Sequence, residues 1–258
     1  MTGARFEGRR LLVTGAASGI GRATALRLAA EGGAVACVDV NGDGLTSTVE
    51  AIRDAGGRAL GLDADVAELA AVERVVAEAA GELGGLEGVA NVAGVGDFTG
   101  DVTETAPEAW ARVLAVNLTG AYHVSRCAMP HLRASGSGAV VNVGSQFALV
   151  GCLASPAYCA SKAGLIGLTR AMAVDHASEG IRVNCVCPGP VDTPMLAGTS
   201  ATPELTARER ARTQHRNLVG RLGRPEDIAA TIIVFIMSDE AGSMTGSVVA
   251  VDGGWTAG

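Results

Sequence analysis

The sequence predicts an α/β protein: one domain over residues 1–258, built on a doubly wound parallel sheet of about seven strands with helices on both faces. Three observations carry this reading. Short apolar runs alternate with helix-length stretches along the whole chain, the pattern of right-handed βαβ crossovers around a covered parallel sheet. A glycine-rich turn, Gly15-Ala-Ala-Ser18-Gly19-Ile20-Gly21, joins the first apolar run to the first helix. No linker or composition shift divides the 258 residues, a length that suits one large α/β domain.

The elements follow in order. Arg10–Thr14 is a strand, and apolar spacing through Ala23, Leu26, Leu28 and Ala30 makes the next stretch a helix. Ala34–Asp39 is a second buried strand closed by an acid, followed by a helix over 45–55. Arg58–Leu62 is the third strand, running into Asp63-Ala-Asp65-Val66, and an amphipathic helix covers roughly 69–80. Leu86–Gly94 is the fourth strand, with glycine at its exit. Pro107 starts a long helix to about Leu132, and Ala139–Val143 is the fifth strand. Pro156 is placed to open a helix running to about Ser178, because proline costs nothing in a first turn. Ile181–Val186 is the sixth strand, stopped by Pro188-Gly189-Pro190; a polar stretch, a helix after Pro225-Glu226 and a last strand, Ser247–Val251, complete the chain.

Composition narrows the function. Hydrophobic residues make up 48% of the chain and aromatic residues 3%, so the core is mostly Ala, Val, Leu and Ile. The 36 glycines show no repeat period and punctuate many short elements. A net charge of −7 argues against nucleic acid as a partner, which calls for a concentrated basic face. The apolar run Ala229–Met237 is too short to span a bilayer, and no signal peptide is readable in the first residues. Six cysteines lack metal-ligand spacing. Cys185 and Cys187 alternate along a strand, so both thiols face one side of the sheet. Structural, reduced cysteines and a cytoplasmic location are expected, with no metal.

Three constellations carry chemistry. Tyr158 and Lys162 sit four apart and project from one helix face, with Ser145 thirteen residues before Tyr158, just past the fifth strand. Together they suit proton transfer to or from an alcohol or carbonyl oxygen, the phenol acting as acid or base and the ammonium stabilising its anion. A buried tyrosine beside a snorkelling lysine gives the same isolated pattern. The loop Gly15–Gly21 stands where glycines permit a tight turn and close approach of a pyrophosphate to a helix N-terminus, although its spacing is not G-x-G-x-x-G. Asp39, ending the second strand, can accept from the hydroxyls of an adenosine ribose, or simply cap a turn. A 2′-phosphate would meet a like charge there. No Arg or Lys precedes Arg22 in the loop or follows Asp39 before Arg53, which favours NAD over NADP.

With Thr14-Gly-x-x-x-Gly-x-Gly21, Asp65-Val66, Asn91-Val-Ala-Gly94, Asn117, Ser145, Tyr158-x-x-x-Lys162 and Pro188-Gly-x-Val-x-Thr193 in this order, the chain resembles the classical short-chain dehydrogenase/reductases from about Gly8 to Gly254. It departs where the family commonly has Asn-Asn-Ala-Gly, at Val92, and where a second serine is frequent, at Gly144. The resemblance implies a Rossmann-type, NAD-binding domain and a homotetramer paired through helices 107–132 and 156–178. It implies that Ser145 bonds the substrate oxygen, that Tyr158 exchanges its proton, and that Lys162 binds the nicotinamide ribose and lowers the Tyr158 pKa. Asn117 would hold a water in a kinked helix. Asp65 and Val66 would bracket adenine, and Asn91 and Gly94 would line the cofactor. The Val191 backbone and Thr193 would hold the carboxamide, with Pro188 and Gly189 also at the cofactor. Tyr122, the other tyrosine, is read as packing.

The substrate end is expected between Val95–Phe98, Gln146–Leu153, Pro190 and a lid at about 194–217. Gln146 is a candidate bond to the substrate. The lid carries Arg208, Arg210, Arg212, His215 and Arg216, with Glu204 and Glu209, and its cations suit an acidic substrate or simply form a solvated face. The leading function is an NAD-dependent secondary-alcohol dehydrogenase or ketone reductase. A 3-oxoacyl-thioester reductase would be expected to prefer NADPH, against Asp39. An epimerase or dehydratase of the extended relatives needs a substrate domain for which there is no room, and a non-catalytic sensor usually loses the Tyr or Lys kept here.

Overall fold

The computed structural model describes residues 4–96, 100–197, 216–230 and 237–258. Its centre is a seven-stranded, all-parallel sheet in the order β3-β2-β1-β4-β5-β6-β7. The strands are β1 Arg10–Thr14, β2 Ala34–Asp39, β3 Arg58–Asp63, β4 Gly88–Asn91, β5 Gly138–Val143, β6 Ile181–Pro188 and β7 Val248–Val251. Seven strands were expected and seven form. β4 is shorter than its apolar run, although the Glu87 backbone still donates to Arg10 O at 2.8 Å and accepts from Ala139 N–H at 3.0 Å while its carboxylate holds the Arg10 backbone and guanidinium.

The helices are α1 Gly19–Ala30, α2 Gly42–Asp54, α3 Leu69–Leu83, α4 Pro107–Leu114, α5 Gly120–Ser135 and α6 Pro156–His176. Asn41 caps α2, its side chain accepting from Gly44 N–H at 3.1 Å, so this helix starts three residues earlier than its apolar spacing suggests. Successive residues of β1 face opposite layers. Leu11 and Val13 join one core with Leu28, Val49 and Ile52; Leu12 joins the other with Val72, Val76 and Leu132. Burial on both faces explains why the strands read as continuous apolar runs.

Where one helix was expected from Pro107 to about Leu132, residues Ala115–Thr119 form a π-helical turn between α4 and α5. Tyr122, read as a packing residue, is instead 48% exposed on α5, its ring tilted against His123. The helix after Pro225 is described for Pro225–Ile228.

The middle of the sheet carries a buried polar ladder. Asn91 pairs in register with Asn142, and its Nδ2 donates to Asn142 Oδ1 at 2.8 Å and to Ser125 Oγ at 3.0 Å. Asn142 Nδ2 donates on to Thr169 Oγ1 of α6 at 2.9 Å. All six cysteines are free thiols. Cys185 and Cys187 face one side of β6 as expected, Sγ to Sγ 3.9 Å.

Candidate active site

The strand order reverses between β1 and β4, and a cleft of about 870 Å³ opens there beyond the C-terminal strand ends. One wall is the glycine loop. A Cβ on Gly21 would lie 2.0 Å from Gly15 O, and one on Gly15, whose φ is +68°, would lie 2.9 Å from Ala93 N. Only glycine permits that turn and that approach, which leaves backbone facing a ligand at the start of α1. Thr14 Oγ1 ties the loop to the neighbouring strand exit by accepting from Val92 and Ala93 N–H at 3.0 and 3.1 Å. A dinucleotide's pyrophosphate fits this cradle.

Asp39 lies beside it on the cleft wall. One carboxylate oxygen accepts from Ala17 N–H and the other from Asn41 N–H, both at 2.9 Å. A carboxylate has about four acceptor sites, so lone pairs remain for ribose hydroxyls. The two cations that flank the loop and Asp39 in the sequence are engaged elsewhere. Arg22 donates to Thr48 Oγ1 at 2.9 Å, and Arg53 to Ala59 O at 2.9 Å. Ser18, Gly19, Ile20, Asp65, Val66 and Gly94 line the cleft, as do Pro188, Gly189, Val191 and Thr193 on the far side.

Ser145, Tyr158 and Lys162 meet at the floor, where β5 ends beneath α6. All three are buried. The Ser145 hydroxyl shares a hydrogen bond with the Tyr158 phenol and accepts from Phe147 N–H at 3.1 Å. Lys162 Nζ donates to Val143 O at 2.8 Å and lies 5.7 Å from the centroid of the Tyr158 ring. Burial pushes the Tyr158 phenol up to about 12, against the opposing pull of Ser145, and draws Lys162 down to about 8. This differs from the expectation that Lys162 lowers the Tyr158 pKa. In the chain by itself, desolvation of the buried phenolate is the leading cause, and Ser145 is the group that opposes it.

Two expected site residues sit behind the cleft wall. Asn117, in the π-helical turn, holds Val95 in both directions: its Oδ1 accepts from Val95 N–H at 2.8 Å and its Nδ2 donates to Val95 O at 2.9 Å. The same Nδ2 donates to Ser161 Oγ at 3.1 Å, one residue from Lys162. Asn91 turns away from the cleft into the Ser125 and Asn142 ladder, so its side chain does not line the cofactor space. The adjoining Val92, Ala93 and Gly94 do.

At the substrate end, Gln146 lines the cleft while almost wholly buried, and its Oε1 has no hydrogen-bond partner among the described residues. Val95 and the 146–153 segment form walls as expected. Phe98, Glu204, Arg208, Glu209, Arg210, Arg212 and His215 lie outside the described residues. Trp255, which the sequence pattern did not flag, stands edge-on to Phe147, ring centroids 6.4 Å apart. Its signal was weak: a lone aromatic after the last strand, in a chain with only two tryptophans. The Arg216 guanidinium lies over its ring at 4.7 Å.

A family model described as Enoyl-(Acyl carrier protein) reductase matches residues 15–256. The chain belongs to the short-chain dehydrogenase/reductase family. It is 44% identical over 255 residues to cis-4-hydroxycyclohexanecarboxylate dehydrogenase of Sinomonas cyclohexanicum, covering 99% of each chain. Its fold superposes on the crystal structure of levodione reductase with a TM-score of 0.94 at 34% identity, covering 98% of this chain and 99% of that one. A Beutenbergia cavernae protein, described as a candidate NAD(P)-dependent gluconate 5-dehydrogenase with NADP at low occupancy, matches with a TM-score of 0.91 at 37% identity, over 99% and 100% of the two chains. These relatives are named as oxidoreductases of hydroxy compounds or their ketones, and short-chain dehydrogenases use a nicotinamide cofactor. The chain is therefore an oxidoreductase of this kind. Among the described residues, no helix is long and apolar enough to cross a membrane.

Proposed function

We propose that the protein interconverts a secondary alcohol and a ketone with NAD, using Tyr158 as the acid/base. The observation that carries this is the meeting of Ser145, Tyr158 and Lys162 at the floor of a cleft whose other end holds Asp39. The cofactor would rest on residues 15–21, with Asp39 at its adenosine ribose, Asp65 and Val66 at adenine, Gly94 and Lys162 toward the nicotinamide ribose, and Pro188–Thr193 at the carboxamide. When bound, it takes a hydride from the carbinol carbon in oxidation and returns one in reduction.

The remaining steps belong to the chain. Ser145 Oγ holds the substrate oxygen beside the phenol. Tyr158 takes the hydroxyl proton in oxidation and gives one to the carbonyl oxygen in reduction. Lys162, fixed by Val143 O, keeps a positive charge under the phenolate as it forms, and the positive charge of an oxidised cofactor adds to it. Asn117 holds the Val95 backbone and Ser161, and so keeps the helix carrying Tyr158 and Lys162 in register with the strand exits. Gln146 offers the substrate a further polar contact.

NAD is supported over NADP by the Asp39 carboxylate and by the engagement of Arg22 and Arg53 elsewhere. The same carboxylate disfavours a 3-oxoacyl-thioester reductase that would draw on NADPH. The relative acting on a hydroxycyclohexanecarboxylate supports a compact alcohol as substrate. Exposed Trp110 on α4, Tyr122 on α5 and Val174 on α6 support a homotetramer paired through these helices, which light scattering tests. Six free thiols support a cytoplasmic location.

Tyr158→Phe tests the mechanism. It is expected to keep NAD affinity, read by fluorescence titration, while turnover on a panel of secondary alcohols and ketones falls at least about a thousandfold, the upper part of the usual range for an acid/base group. Unchanged turnover refutes the assignment.

A further inference from the structure

Five charged residues line the cleft among those described: Asp39, Asp65, Arg112, Lys162 and Arg216. The two acids stand at the exits of β2 and β3, and Lys162 belongs to the proton-transfer set. Arg216 is distinguished by its mounting. Its guanidinium lies over the Trp255 ring, Trp255 stands edge-on to Phe147 at 87°, and Phe147 packs against the cluster that contains Tyr158. A continuous aromatic wall therefore runs from the reacting oxygen's position to a cation. Among the described residues Arg216 makes no hydrogen bond or ion pair. A guanidinium laid on an indole face is held by the ring quadrupole, and its N–H donors point outward in the guanidinium plane, the edge that grips a carboxylate. Val150, Leu153 and Leu196 give the same space an aliphatic lining.

We infer that the substrate is a compact, mainly apolar secondary alcohol bearing a carboxylate remote from its carbinol, and that Arg216 on Trp255 receives that carboxylate. The inference rests on the alcohol dehydrogenase reading above and adds to it the substrate's second functional group. The apolar body lies against Phe147 and the aliphatic residues; the carboxylate sets which end of the molecule reaches Ser145 and Tyr158. Arg216 is otherwise exposed, and the indole covers one face of its guanidinium, leaving the edge open to the carboxylate.

The test separates the carboxylate seat from the chemistry. In a Trp110→Phe background Trp255 is the sole tryptophan, so its emission reports binding of cyclohexanecarboxylate and of cyclohexanecarboxamide, ligands with one body and different charge. The carboxylate is expected to bind about 10- to 100-fold tighter, the range for a charge-assisted hydrogen bond. That advantage should weaken with added salt, collapse in Arg216→Gln and survive in Arg112→Gln. In a parallel kinetic arm, kcat/KM is compared between a hydroxycycloalkane carboxylate and its carboxamide, and Arg216→Gln should collapse this ratio too, mainly through KM. Equal binding of the two ligands, or an advantage that survives Arg216→Gln or is lost only in Arg112→Gln, overturns the seat. Turnover of both alcohols without preference overturns the seat and leaves the dehydrogenase reading standing. Carboxylate-selective binding with no turnover of any alcohol overturns the dehydrogenase reading and supports the seat.

Discussion

A methyl group added at Gly144 probes the layer directly under Ser145, the proposed catalytic serine. An ideal Cβ there would lie 2.9 Å from both Cys185 Sγ and Cys187 Sγ, and 3.4 Å from Val186 O. Non-bonded heavy atoms are comfortable at about 3.5–4.0 Å, so each sulfur has to yield by roughly 0.6–1 Å. Neither has room: both are fully buried on β6, packed with Ile166 and Val248. Overpacking of this kind costs about 1–3 kcal/mol, offset by about 0.8 kcal/mol for the buried methyl. A net loss of about 0.2–2.2 kcal/mol lowers Tm by up to about 9 °C for a chain of this size. Ser145 is the next residue, and its N–H reaches Cys187 Sγ, so kcat should fall with Tm. Differential scanning calorimetry on Gly144→Ala, on Cys185→Ala/Cys187→Ala and on the triple variant measures the coupling. The added methyl should be nearly neutral once both sulfurs are gone. An equal drop in Tm in both backgrounds refutes the sulfur contact as the reason glycine stands where serine is frequent in this family.

Asp39→Ala/Asn41→Arg should shift the NAD to NADP ratio of kcat/KM toward NADP by at least about tenfold, one ion pair's worth; an unchanged ratio counts against Asp39 at the ribose. Oxidation needs the phenolate, and burial raises the Tyr158 pKa, so kcat/KM for the alcohol should climb about tenfold per pH unit from neutrality. Ketone reduction should decline as pH rises through the same apparent pKa, and Lys162→Met should move both limbs to higher pH. Stability gives a second readout. The folded Lys162 pKa of about 8 lies below the ordinary lysine value of 10.5, so the unfolded chain binds more protons between them and this group's contribution to stability rises with pH across that window. Urea midpoints at pH 8 and pH 10 should show that rise diminished in Lys162→Met. Asn91→Ala strands the Asn142 amide and should cost about 1–3 kcal/mol of stability while NAD affinity is kept; lost affinity in a stably folded variant would return Asn91 to the cofactor's contacts.

The parts of this molecule that were legible in the sequence are those whose chemistry is local. A glycine turn between a strand and a helix, an acid at a strand end, and Tyr158 one helical turn from Lys162 each declare themselves within a few residues. Asn91 did not. On a central strand buried on both faces, hydropathy gives no alternation, so nothing reveals which way an amide points. The turn at 115–119 was expected only through the family resemblance, as a kinked helix at Asn117: Ala-Val-Asn-Leu-Thr itself is acceptable to either winding, and the widened ring shows where Asn117 reaches Val95 and Ser161. Tyr122 was misread because a mid-helix position was taken to mean packing within the chain, on a helix face that is exposed in the single chain. Trp255 lies beyond the last strand, where period and propensity are silent; its place depends on Asp252, which accepts from Gly254 and Thr256 N–H and folds the tail back to the cleft.

The amide ladder through Asn91, Asn142 and Thr169 gives the sheet something hydrophobic packing does not supply. Aliphatic strands slide past one another at little cost in greasiness, and β4 and β5 meet only after the long helical crossover between them. A slip by one residue would leave buried amides without partners at about 1–3 kcal/mol each. The ladder thus acts as a key that accepts one alignment. The residues that follow its two rungs are Val92–Gly94 on one strand and Val143–Ser145 on the other. A chain that closes the key has brought the Val92–Gly94 wall of the cleft and Ser145 level with each other, so folding fidelity and the alignment of the proposed site are secured by the same three side chains.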